Sequence, residues 1–306
     1  MKCNLNFKLP SKQAYRFLIF GASLAALTVA PSGAATIVDE LGSAGPSFWA
    51  IVTDSTNPHL NGPGTTNGNV AVTHNNGTLS LDSSNAYAIT GNVSLAAGAS
   101  VSHPAQVTGS IFTNVSLNGV LSDATTAAGY FQTLAPTNAI TSITNSTMIT
   151  SSGVGATNVL SVNNFNLGHD LTLTLKGDST SQFIINISGG MTLNAGKINL
   201  VGGLLPSDVL FNVVSGNLKT SHGLNDESVI NGIVLVGSNG SVQMSPGLIN
   251  GELISLTTGD FQIVSGGSVN QTIPPSSVPE PSTYPLSILG LAAGAFFRWR
   301  RQNKLR

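Results

Sequence analysis

Of the 306 residues, 41% are hydrophobic and only 8% are charged. So low a charged fraction excludes a surface of Lys/Glu helices and leaves Gly, Ser, Thr and Asn to face water, a composition that suits strands and tight turns in one or two domains. Between the basic stretches at the two ends, three lysines (Lys176, Lys197 and Lys219) meet thirteen acidic residues, a net −10. That balance excludes nucleic acid and anionic lipid as partners of the middle of the chain, because both demand clustered Lys or Arg.

Residues 1–35 have the three parts of a secretory signal peptide. Lys2, Lys8, Lys12 and Arg16 precede the apolar run Phe17–Ala30, Pro31 breaks it, and small residues at Gly33 and Ala35 place a cut after Ala35. The run is too short to cross about 30 Å of hydrocarbon comfortably as a helix. The single cysteine, Cys3, lies ahead of the run, so it is not a lipoprotein cysteine. The exported part, having no cysteine, is expected to fold without disulfide or bound metal.

The body, residues 36–273, alternates apolar and polar residues in runs such as Asn69–Val72, Thr78–Leu81, Asn92–Leu95 and Leu171–Leu175, separated by turns such as Asn75–Gly77 and Ser238–Gly240. Period two over four to six residues predicts half-buried strands. A polar residue, then Gly, then any residue, then an aliphatic one recurs at Asn67–Gly68, Thr90–Gly91, Thr108–Gly109, Asn231–Gly232 and Asn250–Gly251. The intervals of 23, 18 and 19 residues fit one coil of a β-solenoid, with each Gly at a corner and the aliphatic residue inside. The competing architecture is a β-sandwich. Within the body, Ser122–Ala135 predicts a helix, with Ser122 or Asp123 as N-cap and Pro136 as the stop. Its apolar face is expected to carry Ala127, Tyr130, Phe131 and Leu134, packed against the coil, with Thr126 facing water.

Residues 274–306 read as a tail. Val278–Pro279–Glu280–Pro281–Ser282–Thr283 leads into an apolar stretch, Tyr284–Phe297, which includes Leu286, Ile288, Leu289, Leu291, Phe296 and Phe297. Arg298, Arg300 and Arg301 then form a basic stop that keeps this end cytoplasmic, with the body on the far side. Fourteen residues reach about 21 Å as a helix, which suits brief rather than permanent anchoring. The order, spacing and position of these features resemble the PEP-CTERM sorting signal. That resemblance implies a membrane cysteine transpeptidase, exosortase, as the partner that recognises Pro279–Glu280–Pro281. It also implies a Gram-negative host that makes exopolysaccharide, with transient residence at the inner membrane before release to the cell surface or medium.

The helix, the segment Gly202–Val213 and the segment 232–255 together resemble the choice-of-anchor A domain and, more distantly, the bacterial ice-binding solenoid family. The resemblance covers about residues 42–271. It implies an all-β, right-handed β-solenoid of triangular section with one helix packed along it, between hydrophobic targeting helices at the two ends. It brings no catalytic residues.

Chemistry is sparse. There is no nucleophile elbow, HExxH, phosphate loop or EF-hand loop. His59, His74, His103, His169 and His222 are spread out, and no cofactor is expected. Asn225–Asp226–Glu227 could hold a hard cation through oxygen but reads more simply as a solvated turn. Asp208 reads as a turn former, and Phe48–Trp49 as a core or end-cap contact rather than a sugar platform. The expectation is a non-enzymatic surface or matrix protein associated with exopolysaccharide. The alternatives are an ice-binding protein and a polysaccharide-active enzyme on a solenoid. Ice binding would need a flat Thr array; Thr172 and Thr174 form one outward pair, and the equivalent positions Ser94 and Leu253–Ser255 do not continue it. An enzyme would need clustered carboxylates on one face.

Overall fold

A computed structural model describes residues 35–84, 86–221 and 227–272. The targeting segments at both ends, His222 and Asp226 lie outside these described residues. The body is a right-handed β-solenoid with three sides, and the strand pairs are parallel. Alternation puts every second side chain inside. Of the aliphatic residues of the repeat, Val70, Val93, Val234 and Leu253 are fully buried there, and Ile111, on the last strand of the first block, is partly buried against them. Phe165 and Phe211 meet edge to face with centroids 5.9 Å apart.

The corner glycines stack as the repeat requires. The positions around Gly232 and Gly251 pair in register, and both glycines have positive φ, 154° and 149°. A Cβ on Gly251 would run into the carbonyl oxygen of Gly232, and one on Gly91 into that of Gly68. Only Gly lets the backbones approach at this corner.

Spatial order departs from sequence order. The chain enters mid-stack at Ile51–Thr53 and winds away through Val70–Val72 and Val93–Leu95 to Ile111–Phe112. A long helix then leads to the opposite end, and coils beginning near Asn138 wind back until Leu248–Ser255 lies beside Ile51–Thr53. Two blocks about 200 residues apart in sequence thus close one continuous stack.

Helix α1 (Ile37–Leu41) opens the described chain with a capping box: Asp39 N–H donates to Thr36 Oγ1, and Thr36 N–H donates to Asp39 Oδ2, both at 3.1 Å. Helix α2 runs Asn118–Thr133. It begins earlier than its sequence suggests, and Leu117, with no side-chain cap, stands at its start. The bond from Val115 N–H to Leu95 O ties the entry to the last coil of the first block instead. Asp123 is no cap: its carboxylate accepts from Ser43 N–H at 2.9 Å and Ser43 Oγ–H at 2.6 Å, which holds it below the usual carboxylate range. The buried stripe is Val120, Ala124, Ala127 and Phe131. Phe131 and Ala127 lie where expected and Thr126 is exposed, whereas Tyr130 sits on the flank, 41% exposed, its ring 5.5 Å from that of Phe131.

A second core lies between one side of the solenoid and these helices. Val159, Ile184, Leu210, Ile233, Leu235, Ile254, Val52 and Ala71 point out of the coil but are buried under α1 and α2. We refer to this as the covered face.

Candidate binding surface

The other two faces are uncovered, and their outward side chains are mostly polar, with few charges and with apolar Met148, Val229, Leu248 and Ala88 on the third. On the second face the outward column runs Asn166, Thr192, Lys219, Gln243, Gln262, His59, Ser80. On the third face one column runs Thr172, Lys197, Val229, Leu248, Ser268 and continues at Thr65 and Ala88. Among the described residues, no strand position on either uncovered face is Asp or Glu; Glu252 of Leu248–Ser255 lies past the Gly251 corner, on the covered face. Asp39, Glu40, Asp123, Asp208 and Glu252 belong to the covered face or the elements packed on it, while Asp82, Asp170 and Asp260 sit in the turns beside the uncovered faces, Asp260 accepting from Gln243 and Gln262.

Thr174 of the expected threonine pair is continued in register by Asn199, and Asn231, Asn250 and Asn270 follow. Ser94 and Leu253–Ser255 belong to the covered face, so they are not equivalent to Thr172 and Thr174. The third face therefore carries a hydrogen-bonded asparagine ladder in place of a threonine array. Asn231 Nδ2 donates to Ile198 O at 2.7 Å, Asn250 to Asn231 Oδ1 at 2.9 Å, Asn270 to Asn250 Oδ1 at 3.2 Å and Asn67 to Asn270 Oδ1 at 2.6 Å. Thr90 Oγ1 then donates to Asn67 Oδ1 at 3.2 Å. The Asn67–Asn270 step crosses the seam between the two blocks. Gln271 completes that seam, accepting from Asn69 N–H at 3.3 Å and donating to Pro46 O at 2.7 Å. The residue before the corner Gly was visible in the sequence repeat at Asn67, Asn231 and Asn250. Asn270 escaped because Gln271 replaces the Gly after it.

Among the described residues, no catalytic constellation accompanies these faces. Among the described residues no three of His, Cys, Asp and Glu gather to hold a metal. The four described histidines make separate local contacts: His59 with Asn57 Nδ2 at 3.1 Å, His74 with Asp54 at 3.6 Å, His103 with Leu81 O at 2.8 Å and His169 with Asp170 at 2.7 Å. Asp208 ends a 3-10 turn, Pro206–Asp208, and accepts from Leu205 N–H at 2.7 Å, while its burial raises the carboxyl. Trp49 is half-buried, its indole N–H donating to Ser43 O at 2.8 Å, but Phe48 is 53% exposed. Only Trp49 of that pair thus makes the expected core contact.

Two features lie on the covered side. A cleft of about 290 Å³ opens between α2 and the coil corners, with Asp54, Gln132, Asn212 and Ser238 in its wall. Glu252 lies on the covered face beside Ile233, fully buried, with neither carboxylate oxygen hydrogen-bonded, and burial pushes its pKa well above the usual range. Burial without a partner disfavours the charged form of such a carboxyl.

A three-sided parallel solenoid with a helix along one face defines the class. Residues 60–261 match the ice-binding-like family, and the chain belongs to it. Residues 277–302 match the PEP-CTERM protein-sorting motif, which marks the protein for export, transient anchoring and exosortase processing. No curated protein matches. Among solved structures, the ice-binding protein of an Arctic yeast is similar with a TM-score of 0.54 at 15% identity, over 77% of this chain and 95% of that one. An ice-binding protein domain of Shewanella frigidimarina gives 0.52 at 15%, over 76% and 96%. The protein of the Antarctic ascomycete Antarctomyces psychrotrophicus gives 0.50 at 18%, over 76% and 97%. At these identities the likeness concerns the fold. Ala35, the expected cleavage residue, is exposed just before the Thr36 cap. Pro279, Glu280 and Pro281, the apolar anchor and the basic stop lie outside the described residues.

Proposed function

We propose that this is a non-enzymatic extracellular protein that associates with the exopolysaccharide matrix after exosortase removes its tail at the inner membrane of a Gram-negative cell. The observation that carries the reading is the pair of uncovered faces, where hydrogen-bonding, uncharged side chains repeat in register from coil to coil. Such a surface suits an extended hydroxylated polymer. Hydrolysis of one would call for two carboxyl groups flanking a bond, and among the described residues no strand position on these two faces is Asp or Glu. The sorting motif supports the compartment. The test compares an exosortase-positive strain with its exosortase deletion. The protein in the matrix fraction should lack the residues after the sorting motif, and in the deletion strain it should stay with the membrane. An intact C-terminus on matrix protein, by mass spectrometry, would sink the reading.

A second reading, ice binding, is favoured by the family match and by the ice-binding proteins among the structural neighbours. The outward columns here mix Asn, Gln, Ser, Lys, His, Val, Leu and Ala with scattered Thr, which weighs against it. Thermal hysteresis measured on the mature protein separates the two: a freezing-point gap, with no retention on polysaccharide, would favour ice.

A further inference from the structure

We propose that the third face is the docking line for an uncharged glycan strand lying along the coil axis, bound by the amides of the asparagine ladder. This rests on the matrix reading above and goes further by choosing one of two open faces and one class of polymer.

The ladder's hydrogen-bond inventory supports this choice. A side-chain amide has two donors and two acceptor sites. Ile198 O can only accept, so Asn231 must turn its NH₂ toward it and its Oδ1 toward Asn250. The same constraint passes along through Asn270 to Asn67. At Asn231, Asn250 and Asn270 the ladder thus consumes one donor and one acceptor site. Among the described residues, one N–H and one lone pair of each remain without a protein partner. These leftover groups recur in the same sense at the coil spacing of about 4.8 Å. A hydroxyl is donor and acceptor at once, so a polyhydroxylated strand can satisfy both kinds.

The neighbouring column narrows the class. Val229 and Leu248, half-buried and adjacent across two coils, offer an apolar strip beside the amides. Sugar rings present hydroxyls at the edge and C–H groups on the face, and match that pairing. An acidic glycan would require a run of cations, but the lysines of this face, Lys176 and Lys197, stand toward one end. A protein partner would require a buried aromatic or Arg anchor, and the strands Val229–Val236, Leu248–Ser255 and Ser268–Gln271 offer none at the ladder. The second face lacks both the continuous ladder and an adjacent apolar strip. Each amide contact is weak, so affinity should grow with the number of coils engaged, and long polymers should be held far better than short oligosaccharides.

The test uses mature secreted protein and the producing bacterium's own exopolysaccharide, separated by anion exchange into neutral and acidic fractions. Co-sedimentation with the neutral fraction is expected. Leu248→Glu together with Thr65→Glu puts charge beside the ladder without touching its amides, and should weaken retention by about tenfold or more. Asn166→Glu together with Thr192→Glu does the same to the second face and should leave retention unchanged; thermal melts of both variants check folding. Loss in the second-face variant with retention in the third-face variant would overturn the face assignment and leave the matrix reading standing. Retention on the acidic fraction alone would overturn the uncharged class, again without touching that reading. No retention on either fraction would overturn both.

Discussion

The covered face and the third face are made by the same coils, and for two coils by the same strands, yet they meet opposite surroundings. In Val229–Val236, Asn231 points out on the third face, Gly232 turns the corner, and Ile233 and Leu235 point out on the covered face. Leu248–Ser255 repeats the plan with Asn250, Gly251 and Ile254. What separates the faces is the outward residue alone. Apolar outward residues demand a roof, and the helices supply it. Asparagines satisfy one another along the axis and leave hydrogen-bonding capacity for a ligand. The roofed face is therefore a stability device, and the open one is where recognition belongs.

That contrast can be broken most forcefully at the roof. Phe131→Ala should cost about 3–5 kcal/mol in denaturant melts, as for other buried aromatics, because it empties the space between α2 and the covered face. A mild effect would mean that α2 lies loosely on the coil.

Glu252 comes next. Its folded-state carboxyl is raised above the ordinary 4.5, so its contribution is most favourable below that value and is lost as pH rises. Between the ordinary value and the folded one, the loss is about 1.4 kcal/mol per pH unit. The charged groups on the elements around this side, Asp208, Asp39, Glu40 and Asp123, are all acidic and offer no compensation. Glu252→Gln should flatten this part of the stability profile and raise the melting temperature near neutral pH. An unchanged pH dependence would show that Glu252 does not titrate in a buried state.

The hydrogen bonds between roof and coil are worth less. Asn186 Nδ2 donates to Phe131 O at 2.7 Å, and Asn212 Nδ2 donates to Ala128 O at 3.3 Å and to Asn186 Oδ1 at 2.8 Å, so the pair satisfies carbonyls at the C-terminal end of α2. Asn186→Ala should cost about 1–3 kcal/mol by leaving buried polar groups unpaired. Thr126→Ala on the exposed side of the same helix should fall within about 0.5 kcal/mol. If these two variants melt together, the asparagine pair does not fasten the helix.

The coil was legible in the sequence because its corner demands Gly, and Gly68, Gly91, Gly109, Gly232 and Gly251 recur at coil length. The aliphatic residue two places on is fully buried after four of these glycines and partly buried, at Ile111, after Gly109. Other features depended on contacts that no local pattern carries. A Ser or Asp cap predicts a late start for α2, whereas the helix starts after Leu117 without a side-chain cap, just past the tie from Val115 N–H to Leu95 O. Tyr130 shares a rough helical face with Phe131, but the stripe Val120–Ala124–Ala127–Phe131 leaves it on the flank. Spacing along the chain also does not tell which of three sides an outward residue joins, so it aligns Thr174 with Ser94, whereas Thr174 pairs with Asn199. The ladder was least visible of all: its closing step joins Asn67 to Asn270 across two blocks that touch only once the chain has doubled back.

The most direct test of the division between roof and open face is hydroxyl-radical footprinting of the mature protein with and without the neutral exopolysaccharide fraction. Val229 and Leu248 on the third face should lose reactivity when the polymer is present, while Tyr130 on the outside of α2 and the exposed Phe48 keep theirs. Protection of Tyr130 or Phe48, with Val229 and Leu248 unchanged, would contradict the account.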